Sequence, residues 1–176
     1  MTKPAARERL WSELSWLFED DDGSLPEVRL RTSSPDATAR IFDKLHRRST
    51  PLASTQTVWH NKRKQEVAVS ALSDPGTLAV RGVVGPLHIV ARGIRSAGIE
   101  LPDLGVSVDP DGVAIDYRMG ETWTPDVLAA FVELLGELLA LDPETRVDLE
   151  DFAADDVRNR FRLTVAAYLA APADDP

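Results

Sequence analysis

Apolar residues recur at three- and four-residue intervals early in the chain. Leu10, Trp11, Leu14, Leu17 and Phe18 share one helical face, which predicts an amphipathic helix over 5–19. The acidic, turn-rich run Asp20-Asp21-Asp22-Gly23-Ser24 ends it. The period then falls to two in Glu27-Val28-Arg29-Leu30-Arg31, so a strand is expected with Val28 and Leu30 inward. Ser34-Pro35-Asp36 opens a second helix, with Ser34 as N-cap and Pro35 at the first helical position. That helix is expected to bury Ile41, Phe42 and Leu45.

Strands are expected at Thr55–His60 and Glu66–Leu72, joined by a hairpin tip at Asn61-Lys62-Arg63-Lys64. Asp74-Pro75-Gly76 reads as a turn and Thr77–Val84 as a strand. Pro86 to Ala97 reads as a helix stopped by Gly98. A hairpin follows, Leu104–Val108 and Val113–Met119, around Asp109-Pro110-Asp111-Gly112. Thr124-Pro125-Asp126 then starts a helix over 125–141 with a broad apolar face. A short strand at Arg146–Leu149 and a final helix over 153–170 complete the set, and 171–176 is expected to fray.

These elements predict one α+β domain over 1–170. It would hold a mainly antiparallel sheet, open to some parallel pairing, of about six to seven strands packed with about four to five helices. Thr32–Ala39 and Thr122–Ala129 echo each other, each after a strand and opening a helix. A duplicated strand–helix unit would explain the echo. So would shared capping chemistry, since strand-to-helix turns favour Ser/Thr-Pro-Asp.

Charge adds a second pattern. The net charge is −9. Residues 1–26 carry 3 Lys/Arg against 6 Asp/Glu, residues 27–98 carry 12 against 5, and residues 99–176 carry 5 against 18. Such segregation marks a partner surface, or segments that lie side by side and neutralise one another in the fold. Cysteine is absent, which excludes disulfides and thiolate metal sites and fits a reducing compartment. Met1 to Arg9 is polar with no apolar stretch after it, and Leu163 to Pro172 is too short to cross a bilayer. Residence in a bacterial cytosol, away from membranes, is the expectation.

Chemical signatures are sparse. His46, His60 and His88 do not share helical spacing with one another or with a carboxylate, so neither a metal nor a cofactor is expected. Gly82-Val83-Val84-Gly85 lacks the third glycine and the Lys-Ser/Thr of a phosphate loop, and no serine elbow occurs. Neither Asp20–Gly23 nor Asp109–Gly112 supplies the alternating oxygen ligands and terminal Glu of a calcium loop. The Asp148–Asp156 cluster reads as a solvated surface at the start of the last helix.

Two candidate sites remain. Around Asp116, Tyr117, Arg118, Glu121 and Trp123, strand alternation puts Asp116 and Arg118 on a polar face and Tyr117 and Met119 toward the core. Aromatic, Arg and carboxylate groups together have the chemistry of a binding hot spot. The alternative is that the charges pair across the strands and Trp123 packs the helix entry. The second candidate is basic: Arg40, Lys44, Arg47 and Arg48 along one helix, and Lys62, Arg63 and Lys64 on the hairpin beside Trp59 and His60. Cations beside an aromatic can grip phosphates, but the acidic chain carries no recognised nucleic-acid motif.

The reading that follows is a non-catalytic protein-binding module that neutralises a basic protein partner through an acidic surface. In size and charge the chain is similar to small acidic bacterial immunity proteins, a likeness of composition that carries over no residue roles. An enzyme or small-ligand binder with a site dispersed around 116–123 is the alternative, and nucleic-acid binding by the basic 40–64 region a weaker one.

Overall fold

A computed structural model describes residues 2–50, 56–109, 111–150 and 153–172. Its centre is a five-stranded sheet formed by β1 (Glu27–Arg31), β4 (His88–Ala91), β7 (Leu104–Asp109), β8 (Gly112–Tyr117) and β9 (Arg146–Leu149). The order is β4-β7-β8-β1-β9, and each neighbouring pair is antiparallel. Two small ribbons stand outside it: β2 (Thr57–His60) with β3 (Gln65–Ala68), and β5 (Arg95–Ser96) with β6 (Ile99–Glu100). Five α-helices accompany these strands among the described residues: α1 (Lys3–Leu14), α2 (Pro35–Arg48), α3 (Pro75–Val80), α4 (Pro125–Leu139) and α5 (Asp155–Leu169). The architecture is α+β with an antiparallel sheet, as the hydrophobic pattern predicts.

Register explains the two sheet faces. Val28 pairs with Ile115, Leu30 with Val113, Val106 with Ile115, Leu104 with Tyr117 and Ile89 with Val106. These residues form one apolar face, and α2 and α4 bury it with Ile41, Phe42, Leu45, Phe131 and Leu135. Side chains of the intervening positions Glu27, Arg29, Arg31, Ser107, Asp109 and Asp116 line the other, polar face. α1 packs on α4 and α5, and α5 on β9. Ser34 and Thr124 cap their helices by accepting the Ala37 and Val127 N–H groups at 3.2 and 3.3 Å.

Beside Val90, the sheet edge at β4 is covered by a side chain. Gln56 Oε1 accepts the Val90 N–H at 2.6 Å, and Gln56 Nε2 donates to the Val90 carbonyl at 3.3 Å. The amide thus takes the place of a neighbouring strand's peptide, a device that blunts an edge.

Several expected elements differ. The strand expected at Thr77–Val84 is α3 followed by a turn. Pro75 starts the helix, and its first N–H groups are capped from another helix. Asp43, buried on α2, accepts from Gly76 N at 2.7 Å and Thr77 N at 3.3 Å. The helix expected over Pro86–Ala97 is β4 plus the β5–β6 ribbon. Gly93 and Gly98 there hold positive φ, and a Cβ on Gly93 would meet Thr50 Oγ1 at 2.6 Å. Pairing with β7 outweighs the helical spacing. The first helix ends at Leu14, with a 3-10 turn at Ser15–Leu17, and the segment expected as a strand to Leu72 becomes a 3-10 turn at Val69–Ala71. Thr55, Pro110 and the tail from 173 lie outside the described residues.

Candidate functional site

Residues 116–123 divide among separate surroundings. Asp116 lies on the polar sheet face, where its Oδ2 is 2.9 Å from His88 Nε2. Its carboxylate covers Gly105 and leaves no room for a Cβ there. Tyr117 and Trp123 belong to the core instead. Phe18 stacks on Tyr117 with centroids 4.7 Å apart, Trp123 meets Phe18 at 4.7 Å and Phe131 at 5.5 Å. The polar ends of these rings are satisfied: Tyr117 donates to the Leu17 carbonyl at 3.2 Å and Trp123 Nε1 to the Arg118 carbonyl at 2.8 Å. Burial pushes the Tyr117 hydroxyl far above its usual range, with the Glu150 charge adding to the shift, so it stays protonated.

Arg118 and Glu121 are exposed on the loop between β8 and α4. Arg118 reaches Asp21 at 3.3 Å, and Gly120 N–H donates to the Phe18 carbonyl at 2.8 Å. The loop is therefore fastened to the segment that follows α1. Together they border a shallow cavity of about 420 Å³ lined by Asp21, Pro102, Asp103, Arg118, Met119, Gly120, Glu121 and Thr122. Of the five candidates, Arg118 and Glu121 share this cavity, whereas Tyr117 and Trp123 lie in the core and Asp116 faces elsewhere.

The charge segregation is largely resolved inside the molecule. Carboxylates of the last third pair with earlier cations: Glu133 with Lys3 at 2.7 Å, Asp126 with Arg7 at 2.6 Å, Glu137 with Arg48 and Lys44, and Asp103 with Arg92 at 2.7 Å. Arg29 and Arg31 pair with Asp109 and Asp111. Asp148 is buried rather than solvated, and holds Arg158 at 2.6 Å and Arg162 at 3.3 Å. Asp155 and Asp156 remain exposed in the first turn of α5, and Asp151 lies outside the described residues.

The remainder separates along the strands. At the end where β8 finishes and β1 begins, Glu19, Asp20, Asp22 and Glu121 are exposed, with no cation partner among the described residues. Asp22 accepts the Ser24 N–H, and hydrogen bonds from Ser24 hold its carboxyl below the usual range. The same segment exposes two large apolar side chains, Trp16 at 44% and Leu25 at 58%. At the opposite end, roughly 17 Å away along the six residues of β8, lie Lys62, Arg63, Lys64 and Arg81. These are exposed and have no carboxylate partner among the described residues.

The basic patch expected on α2 does not act as one surface. Lys44 and Arg48 turn to Glu137, and Arg47 lies 3.5 Å from Asp74. Arg40 stays exposed beside a cavity shared with Arg47 and Arg81. Trp16, Leu25 and Arg81 are the residues that the sequence patterns leave unmarked. Trp16 could have been noticed, because it falls off the stripe of Leu10, Leu14 and Phe18.

Among the described residues, no group of three or more His, Asp or Glu side chains is arranged to hold a metal ion. No described helix is long and apolar enough to cross a membrane. No family model matches the chain, and neither a curated protein nor a solved structure matches it.

Proposed function

We propose that the protein is a non-catalytic binding module that captures a basic protein partner, in the manner of an immunity or inhibitor protein. The contact would be made at the acidic end of the sheet. The observation that carries this reading is the exposure of Trp16 and Leu25 within one segment whose carboxylates Glu19, Asp20 and Asp22 have no cation partner among the described residues. A large aromatic anchor gives binding energy when a partner covers it, and the surrounding like charge steers an oppositely charged protein to it. Phe18, from the same segment, is anchored in the aromatic cluster with Tyr117, Trp123 and Phe131, which holds the segment in place. Such anchoring lowers the ordering cost of association.

The reading as an enzyme or small-ligand binder centred on 116–123 has less support, because those side chains serve three different surroundings. Comparative capture tests the proposal. Wild-type chain and the variant Trp16→Ala/Asp20→Lys are immobilised, exposed to lysate from the native cells, and their retained proteins quantified by mass spectrometry. A basic protein held by the wild type, released by salt and reduced at least tenfold on the variant supports it. Equal retention on both chains, or no salt-released basic protein, contradicts it.

A further inference from the structure

The opposite end of the molecule carries a cleft of about 610 Å³, within the range of ligand-binding pockets. It opens between the first turn of α2, α3, the 83–87 segment and the end of β7. Its walls include Pro35, Val80, Val84, Leu87 and Val108. They are fixed by backbone hydrogen bonds: Asn61 N–H to the Val83 carbonyl at 2.9 Å, Gly85 N–H to Trp59 at 2.8 Å, and Val108 N–H to Leu87 at 3.0 Å. The Asn61 side chain adds a bond to the Gly82 carbonyl at 2.9 Å. The hairpin is thereby attached to the cleft wall.

Charge says what this cleft would receive. Lys62, Arg63 and Lys64 directly follow Asn61, which lines the cleft, and Arg81 directly follows Val80. None has a carboxylate partner among the described residues, in a chain whose net charge is −9. Trp59, 46% exposed, stands on the same hairpin. The carboxylate that lines the cleft, Asp109, lies 3.8 Å from Arg29. An apolar slot beside unneutralised cations suits an occupant with an apolar anchor and negative flanks.

We infer that the cleft and hairpin form a second docking site, for an acidic peptide segment bearing one large apolar side chain. The anchor fills the slot between Val84 and Leu87, and its acidic neighbours meet Lys62, Arg63, Lys64 and Arg81. A nucleic acid suits the site less well: its bases would meet aliphatic walls, and its backbone would meet few cations on an acidic protein.

The test uses the full chain on an array of twelve-residue peptides in which Asp/Glu, Lys/Arg or Ser flank a single Trp, Leu or Ser. Peptides combining acidic flanks with Trp or Leu should be retained selectively. In solution, fluorescence anisotropy of the best peptide should give a Kd that rises at least tenfold in Lys62→Glu/Arg63→Glu, an exposed change that spares the core. A similar rise is expected in Ala79→Phe, which narrows the slot. Trp16→Ala/Asp20→Lys should leave this Kd unchanged, which separates failure here from failure at the acidic end. Retention of no peptide, or retention indifferent to the anchor or to the flanks, overturns the inference. So does tighter binding of a labelled dT12 oligonucleotide or of phosphatidylserine vesicles, weakened by the same hairpin variant.

Discussion

Replacing Asp148 by Asn would remove the charge that ties α5 to the edge of the sheet while keeping the side-chain volume. The wild-type carboxylate accepts the Leu149 N–H at 2.9 Å and binds Arg158 through Nη2 at 2.6 Å and Nε at 3.3 Å, with Arg162 at 3.3 Å. Its side chain is 6% exposed, against 21% for Arg158 and 45% for Arg162. Breaking a fully buried pair costs about 3–5 kcal/mol. Both guanidinium groups here can turn to water, so the expected loss is about 2 kcal/mol, or about 4–8 °C in Tm for a chain of this size.

The pH dependence follows from the same contacts. Burial pushes the Asp148 carboxyl up, but the Arg158 hydrogen bonds, the Leu149 N–H and the two Arg charges outweigh it and hold the group below its usual range. A lowered folded-state pKa means stability that is fully present above the unfolded value of about 3.9 and is lost as pH falls through the folded value. Urea unfolding of wild type and Asp148→Asn should therefore show the full gap at about pH 7 and a shrinking gap below about pH 4. A loss under about 0.5 kcal/mol at neutral pH, or a gap indifferent to pH, would refute this account of Asp148.

Other consequences are as direct. Gln56→Ala should open the β4 edge beside Val90, and light scattering should then show more concentration-dependent association than in the wild type; equal scattering would count against it. Ser34→Ala and Thr124→Ala should each lower stability by about 1 kcal/mol in urea melts, because each removes a side-chain cap. Asp109 behaves oppositely to Asp148: burial raises its pKa despite Arg29. Asp109→Asn should thus be as stable as wild type or more so at neutral pH, with the curves converging as pH falls through the raised value. A marked loss of stability at neutral pH would count against that reading.

What could be read in advance follows physical range. α2 and α4 were legible because Ser34-Pro35-Asp36 and Thr124-Pro125-Asp126 are local capping signals. The inward orientation of Tyr117 is legible from alternation within β8, whereas Met119 is buried just past the end of that strand. α3 was not, since its cap comes from Asp43, 33 residues earlier. β4 is not legible either, because its pairing with β7 decides a segment whose own spacing also suits a helix. The same limit applies to the candidate sites. The Asp116–His88 and Arg118–Asp21 contacts span 28 and 97 residues, and no local pattern encodes them. The neutralisation of Glu133, Asp126 and Glu137 by Lys3, Arg7 and Arg48 is equally long-range, so the acidic last third only looks like a single surface in one dimension.

The most direct test of the proposed binding mode is hydrogen–deuterium exchange of the chain with and without its captured basic partner. The account predicts slowed exchange in residues 15–25 and 118–122, with the hairpin at 57–68 unchanged. Protection confined to the hairpin and the cleft beside it, or absent from residues 15–25, would contradict it.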